Sequence, residues 1–161
     1  MADFDVFNGD ADGICALQQL RLAQPRSARL ITGVKRDIAL LGRVEAGAGD
    51  RVTVLDIALD KNRDALVRLL GQGAEVHYFD HHHPGEIPQH PRFAAHIETL
   101  PNKGTSLLVD EWLDGAHRAW AVVGSFGDNF DHAAARAAEP LGLADQDLAQ
   151  LRQLGILLNY N

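Results

Sequence analysis

The chain has 161 residues, 46% of them hydrophobic, and a formal net charge of −7. That length and composition fit one soluble domain with its own core and exclude a disordered tail. The acidic balance argues against a broad electrostatic grip on duplex nucleic acid, which needs clustered Lys and Arg. The lone Cys15 leaves no internal disulfide, and no secretory signal or bilayer-length apolar run can be read, so a cytoplasmic location is expected and no membrane partner.

Short β-rich runs alternate with amphipathic segments, which predicts βα units: an α/β fold with a parallel sheet flanked by helices and a helical C-terminal portion. Strands are expected at 4–7, 30–34, 52–56, 76–79 and 95–100. The first crossover helix is expected at 13–22, with Ile14, Ala16, Leu17 and Leu20 on one face. The second is expected at 61–70 with Leu66, Leu69 and Leu70. Gly71-Gln72-Gly73 reads as its C-terminal stop, and Asp60 as its natural cap. A further helix opens near Gly104 or Thr105 and runs to 113. Beyond it the chain is helical and Ala-rich, over 118–136 and 145–158. The apolar stretch 154–161 has no polar tail and reads as the start of a connection to a further part of a longer chain.

Acidic and histidine residues recur where predicted strands end. Asn8-Gly9-Asp10-Ala11-Asp12-Gly13 follows the first strand, Asp56 ends the third, and Asp80-His81-His82 ends the fourth. In a parallel sheet those ends open onto one shared edge. Crowded carboxylates repel one another unless positive charge lies between them, and Asp with His suits Mn²⁺, Fe²⁺ or Zn²⁺. Asp128, after Gly124-Ser125-Phe126-Gly127, is a fourth candidate. Its two glycines inside a helical stretch point to close packing or a backbone approach to the site. Each segment also has a plainer reading: a turn at Asp10 and Asp12, a cap at Asp56, a solvated loop at the histidines, a helix end at Asp128.

Taken in order, Asp10-Ala11-Asp12-Gly13, Asp56, Asp80-His81-His82 and Gly-x-x-Gly-Asp128 resemble the four metal-binding motifs of the DHH phosphoesterase superfamily, in particular its exonuclease and oligonucleotide phosphodiesterase branch. Gly104-Thr105-Ser106 is similar to a Thr-Ser segment that follows the third motif in many members. The resemblance implies a phosphoesterase holding two Mn²⁺ ions, with Mg²⁺ or another divalent ion as an alternative. It implies a bridging role for Asp56, with Asp12, His81 and Asp128 completing one ion and Asp10 belonging to the other. It places His82 toward the substrate phosphate and makes Asp80 a partner that orients the imidazoles. Members usually carry a His four residues before the position of Asp10, where this chain has Val6, which weakens one ion site. Asn8 stands where the exonuclease branch often has Asp and is an auxiliary candidate. The implied substrate is a small nucleotide or a short single-stranded oligonucleotide. Residues 1–161 are expected to form the metal-holding domain, without the second, substrate-binding domain of the family. A receiver-like phosphoacceptor domain, with Asp56 as acceptor and Lys103 following a fifth strand, and a non-catalytic metal-binding module are the alternatives.

Overall fold

Alternation along the strands decides the architecture. A computed structural model describes residues 1–160. Its strands β1 (Asp3–Asn8), β2 (Arg29–Gly33), β3 (Arg51–Leu55), β4 (Glu75–Asp80) and β5 (Phe93–Ile97) pair in parallel in the order β2-β1-β3-β4-β5. Successive side chains of a strand face opposite ways, and the central strands bury apolar groups on both faces, as a helix-covered parallel sheet requires. Phe4, Val6, Val52, Val54, Val76 and Tyr78 face one core. That core is closed by Leu66, Leu69 and Leu70 of α2 (Leu59–Gly71) and by Leu40 and Leu41 of a 3-10 turn (Leu40–Arg43). Phe7, Leu55 and Phe79 face the other way, onto Ala16, Leu17 and Leu20 of α1 (Ala11–Ala23) and Val109 of α3 (Thr105–Trp112). The chain then builds a helical layer from α4 (Arg118–Gly127), α5 (Asp131–Ala138) and α6 (Asp145–Leu158), centred on Val122, Phe126, Ala134 and Ala138.

Three elements differ from the sequence expectation, each for a local reason. β5 runs earlier than 95–100 because its pairing follows β4: Val76 N donates to Arg92 O at 2.8 Å and Glu98 N to Asp80 O at 3.2 Å, after which β4 offers no partner. The stretch 118–136 is two helices, divided at Asn129. That residue takes a left-handed φ of 61°, while Phe130 N closes onto Ser125 O at 2.9 Å and Asn129 N onto Phe126 O at 3.1 Å, a helix-terminating turn. Asp60 does not cap α2. The cap position is Ala58 and lacks a side-chain hydrogen bond, while exposed Asp60 lies in the first turn beside Lys61. At the other end Gly73, at φ 92°, stops α2 as its sequence suggested.

Candidate metal centre

The C-terminal ends of β1, β3 and β4 lie in register, Phe7 beside Leu55 and Leu55 beside Phe79, so whatever follows them shares one edge of the sheet. Asp10 caps α1, its Oδ1 accepting from Gly13 N at 3.1 Å. Asp12, in the first turn, is fully buried. Its Oδ2 accepts from Thr105 N at 2.7 Å and its Oδ1 from Ser106 N at 2.9 Å, so one carboxylate takes two free amides of the α3 N-terminus. Gly104 permits this approach: a Cβ there would lie 2.7 Å from Asp12 Oδ2. Asp56 takes a left-handed φ of 59°, which non-glycine residues adopt at a cost and which collects at functional sites. Its Oδ1 accepts from the Thr105 hydroxyl at 3.0 Å.

His81 is where these carboxylates meet. Its Nε2 lies 3.3 Å from Asp56 Oδ1, 3.8 Å from Asp12 Oδ2 and 3.9 Å from Asp128 Oδ2. Behind it Asp80, wholly buried, accepts from His81 N at 2.9 Å and lies 2.7 Å from His82 Nδ1. Engagement of Nδ1 leaves Nε2 as the nitrogen of His82 available to a ligand.

Asp128 arrives at the end of α4. Asn129 supplies the left-handed turn that ends the helix, and the Asp128 carboxylate faces the cluster, with Oδ2 3.9 Å from His81 Nε2. Gly124 and Gly127 let α4 approach its neighbours. A Cβ at Gly124 would meet Ser106 and Cys15, and one at Gly127 would collide with Ala11 and Gly155. The glycine pair thus serves close helix packing beside the site.

Two contributors carry no sequence signal that singled them out. Lys35, two residues past β2, places Nζ 3.0 Å from Asp10 Oδ2 and 2.9 Å from Asp128 Oδ1. Asn159, just past α6, accepts from Ala11 N at 2.8 Å through Oδ1 and donates through Nδ2 to Gly127 O. It thereby ties the start of α1, beside Asp10 and Asp12, to the end of α4, beside Asp128. The usable clue for Lys35 was its place after a strand of the same sheet, where it reaches the same edge as the acids.

The electrostatics follow from packing negative charge into a dry edge. Burial, then repulsion by Asp56, pushes the Asp12 carboxyl up to about 7, against the pull of His81 and Ser106. Burial likewise raises Asp56 to about 6 against the hydrogen bond to His81, and burial raises Asp128. Burial opposes the charge on His81, but Asp56 and Asp12 outweigh it and raise the imidazole to about 9. The hydrogen bond to Asp80 raises His82. A cluster whose acids resist ionisation is one that a cation would relieve.

The donor set fits a divalent ion. Asp12, His81 and Asp128 bring ligand atoms within 4.8 Å of one another, as do Asp56, His81 and His82, the two groups sharing His81. Asp10 and Asn8, the other two candidate ligands, belong to neither group. Asn8 Oδ1 is buried without a hydrogen-bond partner. Val6 is completely buried in the apolar core. Lys103, the lysine on which a receiver-like reading depends, is paired with Glu98 at 2.7 Å and Glu111 at 2.6 Å.

No family model and no curated protein matches this chain. Among solved structures it is similar to a DHH domain described as belonging to a family of ribosomal proteins, at 14% identity and a TM-score of 0.64, over 91% of this chain and 45% of that one. It is also similar to exonuclease RecJ bound to manganese, at 20% identity and a TM-score of 0.50, over 84% of this chain and 42% of the other. The chain therefore spans less than half the length of either structure. No helix among the described residues is long and apolar enough to cross a membrane. A five-stranded parallel sheet, helices on both faces and these likenesses together identify the fold as that of a DHH domain.

Proposed function

We propose that the chain is the metal-holding part of a hydrolase that cleaves a phosphodiester or phosphoanhydride in a small nucleotide or short single-stranded oligonucleotide. The observation that carries this reading is His81 Nε2 within 3.3–3.9 Å of carboxylates from three separate segments, Asp56, Asp12 and Asp128. Asp12, Asp56, His81 and Asp128 would hold the ion, Mn²⁺ or Mg²⁺. When bound, such an ion makes water a better nucleophile and neutralises charge on phosphoryl oxygens.

The protein's own groups supply position and protons. Thr105 and the α3 amides hold Asp56 and Asp12 in place. Asp80 fixes His82 through Nδ1 and favours its protonated form, so that Nε2–H can donate to a phosphoryl oxygen or pass a proton to the leaving oxygen. Lys35 and Lys61 line the same pocket with Asp10 and His82 and provide local positive charge on an otherwise acidic chain. Substrate selection would rest with a further domain of a longer protein, and the reducing cytoplasm suits the free, buried Cys15. The receiver-like alternative is less well supported, because Lys103 is engaged elsewhere and Asp56 is buried.

The test is hydrolysis of bis(p-nitrophenyl) phosphate and of end-labelled short single strands with Mn²⁺. Asp56→Asn keeps a residue tolerant of the left-handed backbone. It is expected to lower the rate by more than the roughly 10–100-fold typical of an outer partner. The chain without a substrate-selecting domain is expected to be poorly active on the short strands. An active Asp56→Asn protein, or a Mn²⁺-independent rate, would defeat the proposal. No turnover even of bis(p-nitrophenyl) phosphate, an activated diester that needs no such domain, would favour a non-catalytic metal-binding module.

A further inference from the structure

The cation positions in this cluster are not equivalent. The group built on His81 brings its ligand atoms within 4.8 Å of one another, and Asp12 there takes neutral backbone amides, whereas Asp10 lies outside that group and carries the Lys35 ammonium on Oδ2, with Gly13 N on Oδ1. The same ammonium holds Asp128 through Oδ1, leaving Oδ2 facing His81. No His stands at position 6, where Val6 is a core side chain; Asn8 offers only a neutral oxygen, and Asp10 belongs to neither group of mutually close ligand atoms built on His81.

We infer that the Lys35 ammonium occupies the second cation position, bridging Asp10 and Asp128, so that the chain takes one divalent ion per molecule, at the His81 centre. This rests on the metal-dependent reading above. An ion bound to the same oxygens would lie only a few ångströms from Nζ, and two cations that close on a partly desolvated edge repel strongly. One must leave. Lys35 is anchored a short step past β2 and makes two charge-assisted contacts at 2.9 and 3.0 Å. Its third N–H is left for a substrate anion, and the side chain is 60% exposed. Lys35 would thus supply a positive charge beside the single ion, while holding Asp128 in place for that ion.

The test is metal stoichiometry, read by calorimetry and native mass spectrometry on the whole 161-residue chain with Mn²⁺ as the probe. The unmodified protein is expected to bind one Mn²⁺. Lys35→Met, which keeps the stem and removes the charge, is expected to bind two, and Lys35→Arg one. Asp10→Asn in the Lys35→Met background should return the count to one. Circular dichroism establishes that each variant is folded. Two Mn²⁺ ions in the unmodified protein, or one in Lys35→Met, would overturn the inference while leaving the metal-dependent reading intact. No Mn²⁺ bound by either would overturn that reading and this inference with it.

Discussion

A single hydroxyl holds the Asp56 carboxylate in place at the dry edge of the sheet. Thr105 Oγ1 donates to Asp56 Oδ1 at 3.0 Å, and both residues are buried. Water cannot replace that donor. Hydrogen bonds to charged groups contribute about 1.5–3 kcal/mol, so Thr105→Val is expected to lose stability in that range when the chain is free of metal. A bound cation would satisfy the same oxygen, and the loss should shrink when Mn²⁺ is added. Urea unfolding of both proteins in EDTA and in Mn²⁺ measures the two differences. An equal loss in both conditions would mean that Thr105 acts through packing and not through the Asp56 carboxylate.

At the scale of elements, the N-terminus of α3 is the clamp that holds two carboxylates from other parts of the chain. Its first amides meet Asp12, its first hydroxyl meets Asp56, and Gly104 leaves the space for that meeting. Gly104→Ala puts a Cβ 2.7–2.8 Å from both Asp12 oxygens, closer than unstrained contact allows. The carboxylate must shift away from the Thr105 and Ser106 amides. The expected result is a loss of about 1–3 kcal/mol, the cost of leaving buried polar groups unsatisfied, together with weaker Mn²⁺ binding by calorimetry. Undiminished affinity would show that Asp12 reaches the ion without the clamp. Much of this element structure was legible in the sequence: the β-rich runs at 4–7, 52–56 and 76–79 mark, within a residue or so at each end, the strands Asp3–Asn8, Arg51–Leu55 and Glu75–Asp80, and Gly104-Thr105 marks a helix start. The break at Asn129 was harder to see, because Ala-rich sequence continues on both sides and only a left-handed backbone at one residue separates α4 from α5.

For the whole molecule, what the sequence conveys depends on whether a residue's role is local. Asp10, Asp12, Asp56, Asp80, His81 and His82 stand next to strand ends, so the rule that strand ends share an edge was enough to bring them together. Lys35 meets Asp128 across 93 positions and Asn159 meets Ala11 across 148; an exposed Lys and an Asn after a helix look like any others until the fold closes. That closure concentrates charge, and stability should record it. The folded-state values of Asp12 and Asp56 are raised from 3.8 to about 7 and about 6, and that of His81 from 6.5 to about 9. A raised group contributes stability that is fully present below its unfolded value and is lost as pH rises through its folded value. The carboxyls therefore give up their share between about pH 4 and 7, and His81 its share between about 6.5 and 9, all in the same direction. Metal-free protein is expected to melt at progressively lower temperature from about pH 6 to about pH 9. Divalent ions reverse the slope, since protons compete with the metal for the same oxygens and imidazole and binding strengthens as they leave. At about 100 times its dissociation constant a ligand adds about 2.7 kcal/mol, so the gap between melting curves in Mn²⁺ and in EDTA should widen steadily toward alkaline pH. Parallel curves, or an EDTA-treated protein that gains stability as the pH is raised over that range, would mean that Asp12, Asp56 and His81 do not form one electrostatic unit.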